Sequence, residues 1–275
     1  MNKILIIIFC VILLGCKPQN EATPHYNPSS FINQNWAMDK LWEDGQAEVA
    51  IYDAQFMIYG QARKFDAPVI TVKEEFNKGF NVKTDDYSRD DLFSVIKINR
   101  FADIPTPSYP YHFLTSIFIQ RDKPEQVYKM THTGQEWCGN TFKQFELSSA
   151  GYQYDYNSYF DGYGDGKMEI DGNDFWWEDQ LPYVLRALNF DDGLSFSKEV
   201  MSTEINTKTR KPTFANAAFK VVDQDSLWQV TVTYNPEKTN TYTFQKAYPN
   251  LMTSQKTWYG FDMELKSVSR YKYWR

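Results

Sequence analysis

Cys138 stands in Gly134-Gln135-Glu136-Trp137-Cys138-Gly139-Asn140 and is the clearest candidate nucleophile in the chain. A thiol attacks as its thiolate, so it needs a base within hydrogen-bond reach and a setting that lowers its pKa. His132, six residues upstream, and His112 are the histidines of the body. A hairpin turning near Gly134 would bring His132 back toward the thiol. Glu136, two positions away on the same face of a strand, works in the other direction, because a carboxylate raises a thiol pKa. A buried structural cysteine is the favoured reading. Cys138 and His132 stay as candidates, with no catalytic residue assigned.

Three other groupings suggest chemistry and also have plainer readings. Glu74-Glu75, Asp85-Asp86 and Asp90-Asp91 offer paired carboxylates of the kind that cleave glycosides, but acid pairs beside strands usually belong to solvated edges and turns. The stretch Asp161 to Gly172 sets Asp161, Asp165 and Gly166 at positions 1, 5 and 6 of a calcium loop, yet Tyr163 fills position 3 and Gly172 stands where a bidentate Glu is required. It reads as a glycine-rich hairpin tip with no metal. Trp176 and Trp177 suit sugar stacking; Trp177 falls on an apolar helix face and reads as core, and Trp176 is open. No cofactor motif is present.

The N-terminus specifies an address. Lys3, the unbroken apolar run Ile4 to Leu14, and Gly15 before Cys16 describe a secretory signal too short to span a bilayer. Leu13-Leu14-Gly15-Cys16 resembles the lipobox of bacterial lipoproteins, so residues 1–15 are expected to be removed and Cys16 to carry a diacylglycerol. Lys17, where an inner-membrane retention aspartate would stand, favours the outer membrane, facing the periplasm. Residues 16–30, poor in apolar side chains and holding three prolines, read as a flexible tether. Cys10 leaves with the signal and Cys16 is lipidated, so Cys138 has no partner for an internal disulfide.

Residues 31–275 form the body, read as one β-rich domain. Its charge is acidic, one unit more negative than the −6 of the whole chain once Lys3 is lost. No basic stripe offsets that charge, which argues against nucleic acid. The expected partners are the membrane, through the lipid, and an apolar or carbohydrate ligand; the expected state is a monomer.

Period-2 alternation runs through most of the body. Trp228, Val230, Val232 and Tyr234 alternate with Gln229, Thr231 and Thr233; Asn235 to Lys238 turns the chain; Tyr242 and Phe244 resume the face. Phe261, Met263 and Leu265 mark a last strand. Ala47 to Arg63 and Ala67 to Phe76 read as two long strands with a turn at Phe65-Asp66-Ala67-Pro68. One helix is predicted after Asn173 or Asp174 as cap, with Trp177, Leu181, Val184, Leu185 and Leu188 on one face, a break or start at Pro182, and an end at Asp191-Asp192-Gly193. The fold class is mainly β: a large antiparallel curled sheet, half-barrel or sandwich-like, with one amphipathic helix packed on it.

Four stretches taken together, LWEDGQAEVAIYDAQFMIYGQAR, SYPYHFLTSIF, GQEWCGNTFKQFEL and the segment around WWEDQLPYVLR, resemble a family of uncharacterised bacterial lipoproteins. Some of its members carry the label septum formation inhibitor Maf. The resemblance spans about Trp42 to Phe244 and rests most on Glu136-Trp137-Cys138-Gly139 and Gly45-Gln46-Ala47-Glu48. It implies a lipoprotein without implying an activity. Maf nucleotide pyrophosphatases carry a Ser-rich, Arg-containing phosphate loop near the N-terminus, where this chain has its signal and tether. The expected role is non-enzymatic binding or structure in the cell envelope. Two alternatives stand beside it: a carrier or sensor of an apolar ligand, and a Cys- or carboxylate-dependent hydrolase.

Overall fold

The computed structural model describes residues 26–275. The signal, Cys16 and the tether up to residue 25 lie outside the described residues.

Sixteen strands form one sheet. In chain order they are β1 (Ala47–Ile58), β2 (Gln61–Asn77), β3 (Val82–Lys83), β4 (Leu92–Ile104), β5 (Tyr111–Gln120), β6 (Val127–Glu136), β7 (Gly139–Leu147) and β8 (Gly151–Ser158). There follow β9 (Gly166–Asp171), β10 (Trp176–Trp177), β11 (Ser195–Met201), β12 (Phe214–Gln224), β13 (Leu227–Asn235), β14 (Lys238–Gln245), β15 (Met252–Lys256) and β16 (Asp262–Tyr271). In space the order is β10 to β16, then β1, β2 and β4 to β9, with β3 paired on β2. Strand β1 therefore sits mid-sheet against β16, from Ala47↔Tyr271 to Gln55↔Asp262.

This order forces curvature. The sheet's two edges, β9 and β10, are joined by residues 172–175, a link that spans at most about 17 Å. A flat sheet of so many strands would be several times wider, so it curls until its edges approach each other. The inner faces of β13, β14 and β16 carry side chains that alternation predicts: Val230, Val232, Tyr242, Phe244 and Met263 are buried, as is Phe261 just before β16.

The predicted helix is present in a short form, as a plug. A 3-10 turn (Glu178–Gln180), one α turn, α1 (Leu181–Val184), and a second 3-10 turn (Leu185–Ala187) run through the concave side. Pro182 sits in the first turn of α1, where its missing N–H costs nothing, and it prevents extension toward Trp177. Apart from Pro182, every residue from Glu178 to Leu188 is buried, so the segment has no solvent face. The predicted cap is absent; Asp174 instead pairs with Lys198. Gly193 (φ +81°) belongs to the turn before β11 and not to a helix end.

Two turns also differ from the sequence reading. The β1–β2 hairpin closes at Tyr59 and Gly60, with φ of +52° and +72°, the two-residue connection whose twist suits a hairpin. Phe65 to Pro68 are strand; Pro68 lies just outside the β2–β4 ladder, which begins at Val69. The β6–β7 hairpin turns at Trp137 and Cys138, beyond Gly134, because Glu136 and Gly139 are the last pair of the ladder. Gly139 has φ +154°, and a Cβ there would fall 2.4 Å from the Tyr159 ring, which lies over it.

Candidate ligand pocket

The structure separates the two thiol-chemistry candidates. Cys138 is exposed at the hairpin tip, with its Sγ 3.6 Å from the Tyr109 hydroxyl, which corrects the expectation of a buried cysteine in a strand. His132 is fully buried on the inner face, its Nδ1 2.8 Å from Thr115 Oγ1. Burial, with the Lys143 ammonium nearby, pushes its pKa well below the ordinary value and keeps it neutral. The four residue steps from His132 to Glu136 already place about 13 Å between it and the turn, so it is no base for Cys138. His112 is exposed and paired with Asp103 at 2.7 Å.

The carboxylate pairs separate as well. Glu74 and Glu75 point to opposite faces of β2; Lys97 holds the first, and Ser94 and Lys73 hold the second. Asp86 caps Ser88, and Asp91 binds the Arg89 guanidinium through both oxygens. The stretch from Asp161 is the tip between β8 and β9, with Asp165 accepting from Asn157. Trp176 is core, packed edge-on against Phe31, Phe196 and Phe219.

What comes together instead is a set of buried ionisable groups around the plug. Arg186 donates both terminal nitrogens to Glu48, at 2.8 and 2.9 Å. Lys143, fully buried on β7, donates to Glu204 Oε2 at 2.8 Å, to the Glu204 carbonyl at 2.9 Å and to Asn206 Oδ1 at 3.2 Å. Burial pushes Lys143 down and Glu204 up to about 7, against their mutual attraction. Asp179 accepts from Thr203 Oγ1 and the Glu204 amide, both at 2.7 Å, which fastens the loop after β11 to the plug.

Glu178 closes the other end of the plug without a cation. Its carboxylate accepts from the Tyr234 hydroxyl and the Asn240 amide. No ion pair among the described residues includes it. Burial raises its carboxyl pKa from an ordinary 4.5 to about 7; the two hydrogen bonds oppose the rise and the neighbouring Asp179 adds to it.

This carboxyl lies in the lining of a cavity of about 290 Å³. Val200, Ser202, Thr203, Phe214, Ala215, Tyr234, Lys238, Trp258 and Tyr259 form its walls. The cavity opens because two strands part. Pairing of β12 with β13 ends at Ala218↔Thr233, so residues 214–217 of β12 have no partner on β13. Next to that gap, Thr233↔Thr239 is followed by Asn235↔Lys238, which makes Tyr234 the extra residue of a β-bulge. Bulges re-aim side chains, and this one accompanies a hydroxyl bonded to Glu178. At the mouth Trp258 is 46% exposed, and the Lys238 ammonium lies 4.3 Å from its ring centroid. The hollows of about 670 and 750 Å³ elsewhere on the sheet are open to solvent and hold no buried charged group without a partner.

Sequence reasoning missed this constellation, although one signal was available. Asn240 stands in the inward register with Tyr242 and Phe244, as Lys143 does between Thr141 and Phe145. A polar residue in an apolar register must find a buried partner.

No protein-family model matches the chain, and no curated protein matches it. Two solved structures are similar to it. A DUF1089 family protein from Pseudomonas aeruginosa has 13% identity and a TM-score of 0.39, covering 66% of this chain and 87% of its own. A β-barrel-like DUF1849 protein from Brucella abortus has 10% identity and a TM-score of 0.42, covering 82% of this chain and 98% of its own.

Proposed function

We propose that this protein is a lipid-anchored binding protein of the bacterial cell envelope, attached through Cys16, that takes a small and largely apolar molecule into the pocket closed by Glu178. The observation that carries the reading is the pocket itself. Its volume approaches that of small-molecule sites, its walls join aromatic and aliphatic side chains to a few hydroxyls, and the buried Glu178 converges on it. The anchoring half of the reading rests on the N-terminal signal and on the resemblance to the uncharacterised lipoproteins.

The path of the chain supports the combination. Tyr26 and Ser29, the last part of the tether, bond to Glu125 in the β5–β6 connection. That connection also meets the plug, where the Glu125 carbonyl accepts from Gln180 at 3.0 Å, so the tether leads to the same segment that carries Glu178.

The test uses the chain from residue 16 onward carrying Cys16→Ser, which takes no lipid, titrated with the neutral fluorophore N-phenyl-1-naphthylamine. Saturable enhancement at one site is expected, together with quenching of Trp258 that disappears in Trp258→Phe. Ser202→Trp, which fills the pocket, should abolish binding. Enhancement that does not saturate, or that survives Ser202→Trp unchanged, would refute the pocket as the site.

A further inference from the structure

Resting on that reading, we propose that the ligand of this pocket carries an ammonium group, which the Glu178 carboxylate accepts among the rings of Tyr234, Tyr259 and Trp258, and that Lys238 is a built-in competitor at the mouth. The Glu178 carboxylate has acceptor capacity to spare. It offers about four lone-pair directions, and Tyr234 and Asn240 occupy two of them. Two remain for donors that the described residues do not supply.

Charge balance points to the same class of ligand. Two other buried glutamates against the plug, Glu48 and Glu204, each have a cation, Arg186 and Lys143 respectively. Glu178 has none among the described residues. Arg100 on β4 acts on it only from a distance; its guanidinium donates to the Asp179 carbonyl at 3.1 Å and lies 5.4 Å from the Phe261 centroid. The remaining ionisable groups around Glu178 are Asp179 beside it on the plug, Tyr234 on β13, Tyr242 on β14 and Tyr259 in the turn before β16. These are an acid and three phenols that burial keeps protonated. An anionic ligand would meet a carboxylate at this floor, whereas a cation would complete the pattern set by Glu48 and Glu204.

The mouth already holds an example. Lys238 places its ammonium 4.3 Å above Trp258, inside the range at which a ring face attracts a cation. Lys238 also lines the cavity, so an incoming ammonium meets a like charge there and must displace it. Removing that charge should favour the ligand.

The experiment displaces N-phenyl-1-naphthylamine from the Cys16→Ser chain with two matched competitors, 4-phenylbutylammonium and 4-phenylbutanol. At pH 8 the ammonium compound should compete about tenfold better or more, as a charge-assisted hydrogen bond allows. That preference should vanish at pH 5, where Glu178 is protonated, and in Glu178→Gln; Lys238→Met should strengthen the ammonium compound alone. The comparison on the unsubstituted pocket is decisive even if a variant folds poorly. If the fluorophore binds and the alcohol competes equally or better at pH 8, the ammonium assignment is overturned and the pocket stands. If the fluorophore fails to bind, the pocket reading falls as well.

Discussion

The two ends of the plug carry the same functional group in opposite circumstances. At one end Glu48 meets Arg186 in a two-pronged pair with both partners buried, and the Arg186 guanidinium also stacks 5.0 Å from Trp36 and donates to the Pro249 carbonyl. At the other end Glu178 meets only a phenol and an amide, and it borders a cavity. The first arrangement balances its charge within the chain, so its role is to hold the plug in the sheet. The second leaves a charge unmatched, a cost that a fold retains where function requires it. Burial alone therefore does not distinguish a structural carboxylate from a recognising one; the partner does.

The largest effect is expected at Arg186. Replacing it by Met strands Glu48 as a buried lone charge, and a loss of about 3–5 kcal/mol in urea unfolding is expected. Pairing the change with Glu48→Met should recover most of that loss. A small effect of the single change would mean that water reaches Glu48 and that this end is not sealed.

The next largest effect is expected at Glu178. Its native pKa of about 7 lies above the ordinary 4.5, so between those values the unfolded chain releases a proton that the native state keeps. Stability then falls as pH rises from about 4.5 to about 7 and is flat above, by up to about 3 kcal/mol. Glu178→Gln should remove this slope, making the variant more stable than the parent at pH 8 and indistinguishable from it at pH 4. Parallel urea midpoints across that range would contradict the uncompensated charge.

Tyr234→Phe sharpens the same point on a smaller scale. It deletes one of two donors to the charged carboxylate, so about 1–2 kcal/mol should be lost at pH 8 and less at pH 5. An equal loss at both pH values would assign Tyr234 to packing alone. The smallest change is expected at Cys138: a thiol reagent should label it in the native state and shift the unfolding midpoint by less than about 0.5 kcal/mol. Labelling only after denaturation would contradict the exposed turn.

Much of the scaffold was legible because alternation marks an inner face wherever one side of a strand is buried, as along Trp228 to Tyr234 and Phe261 to Leu265. The Tyr59-Gly60 turn was not, since a tyrosine at positive φ carries no compositional mark. The plug misled because a segment enclosed on all sides keeps its apolar residues at helical spacing without having a helix's length. The pocket was legible only in part. Asn240 and Lys143 stood out of register, but the partners of Glu178 lie 56 and 62 residues away, and their meeting depends on how the sheet curls.

The pairing of β1 with β16 has a consequence for assembly. These are the outermost long strands of the chain and neighbours at the heart of the sheet, with Ala47 opposite Tyr271. Until residue 271 is available the molecule consists of two half-sheets, each presenting a bare edge, so closure waits on a contact of very high sequence separation. In effect the protein is a circular permutant of a plain meander. Cutting the link 172–175 and joining the paired ends would preserve every antiparallel ladder and make nearly all of them local, whereas trimming the chain from Asp262 onward would split the sheet down its middle.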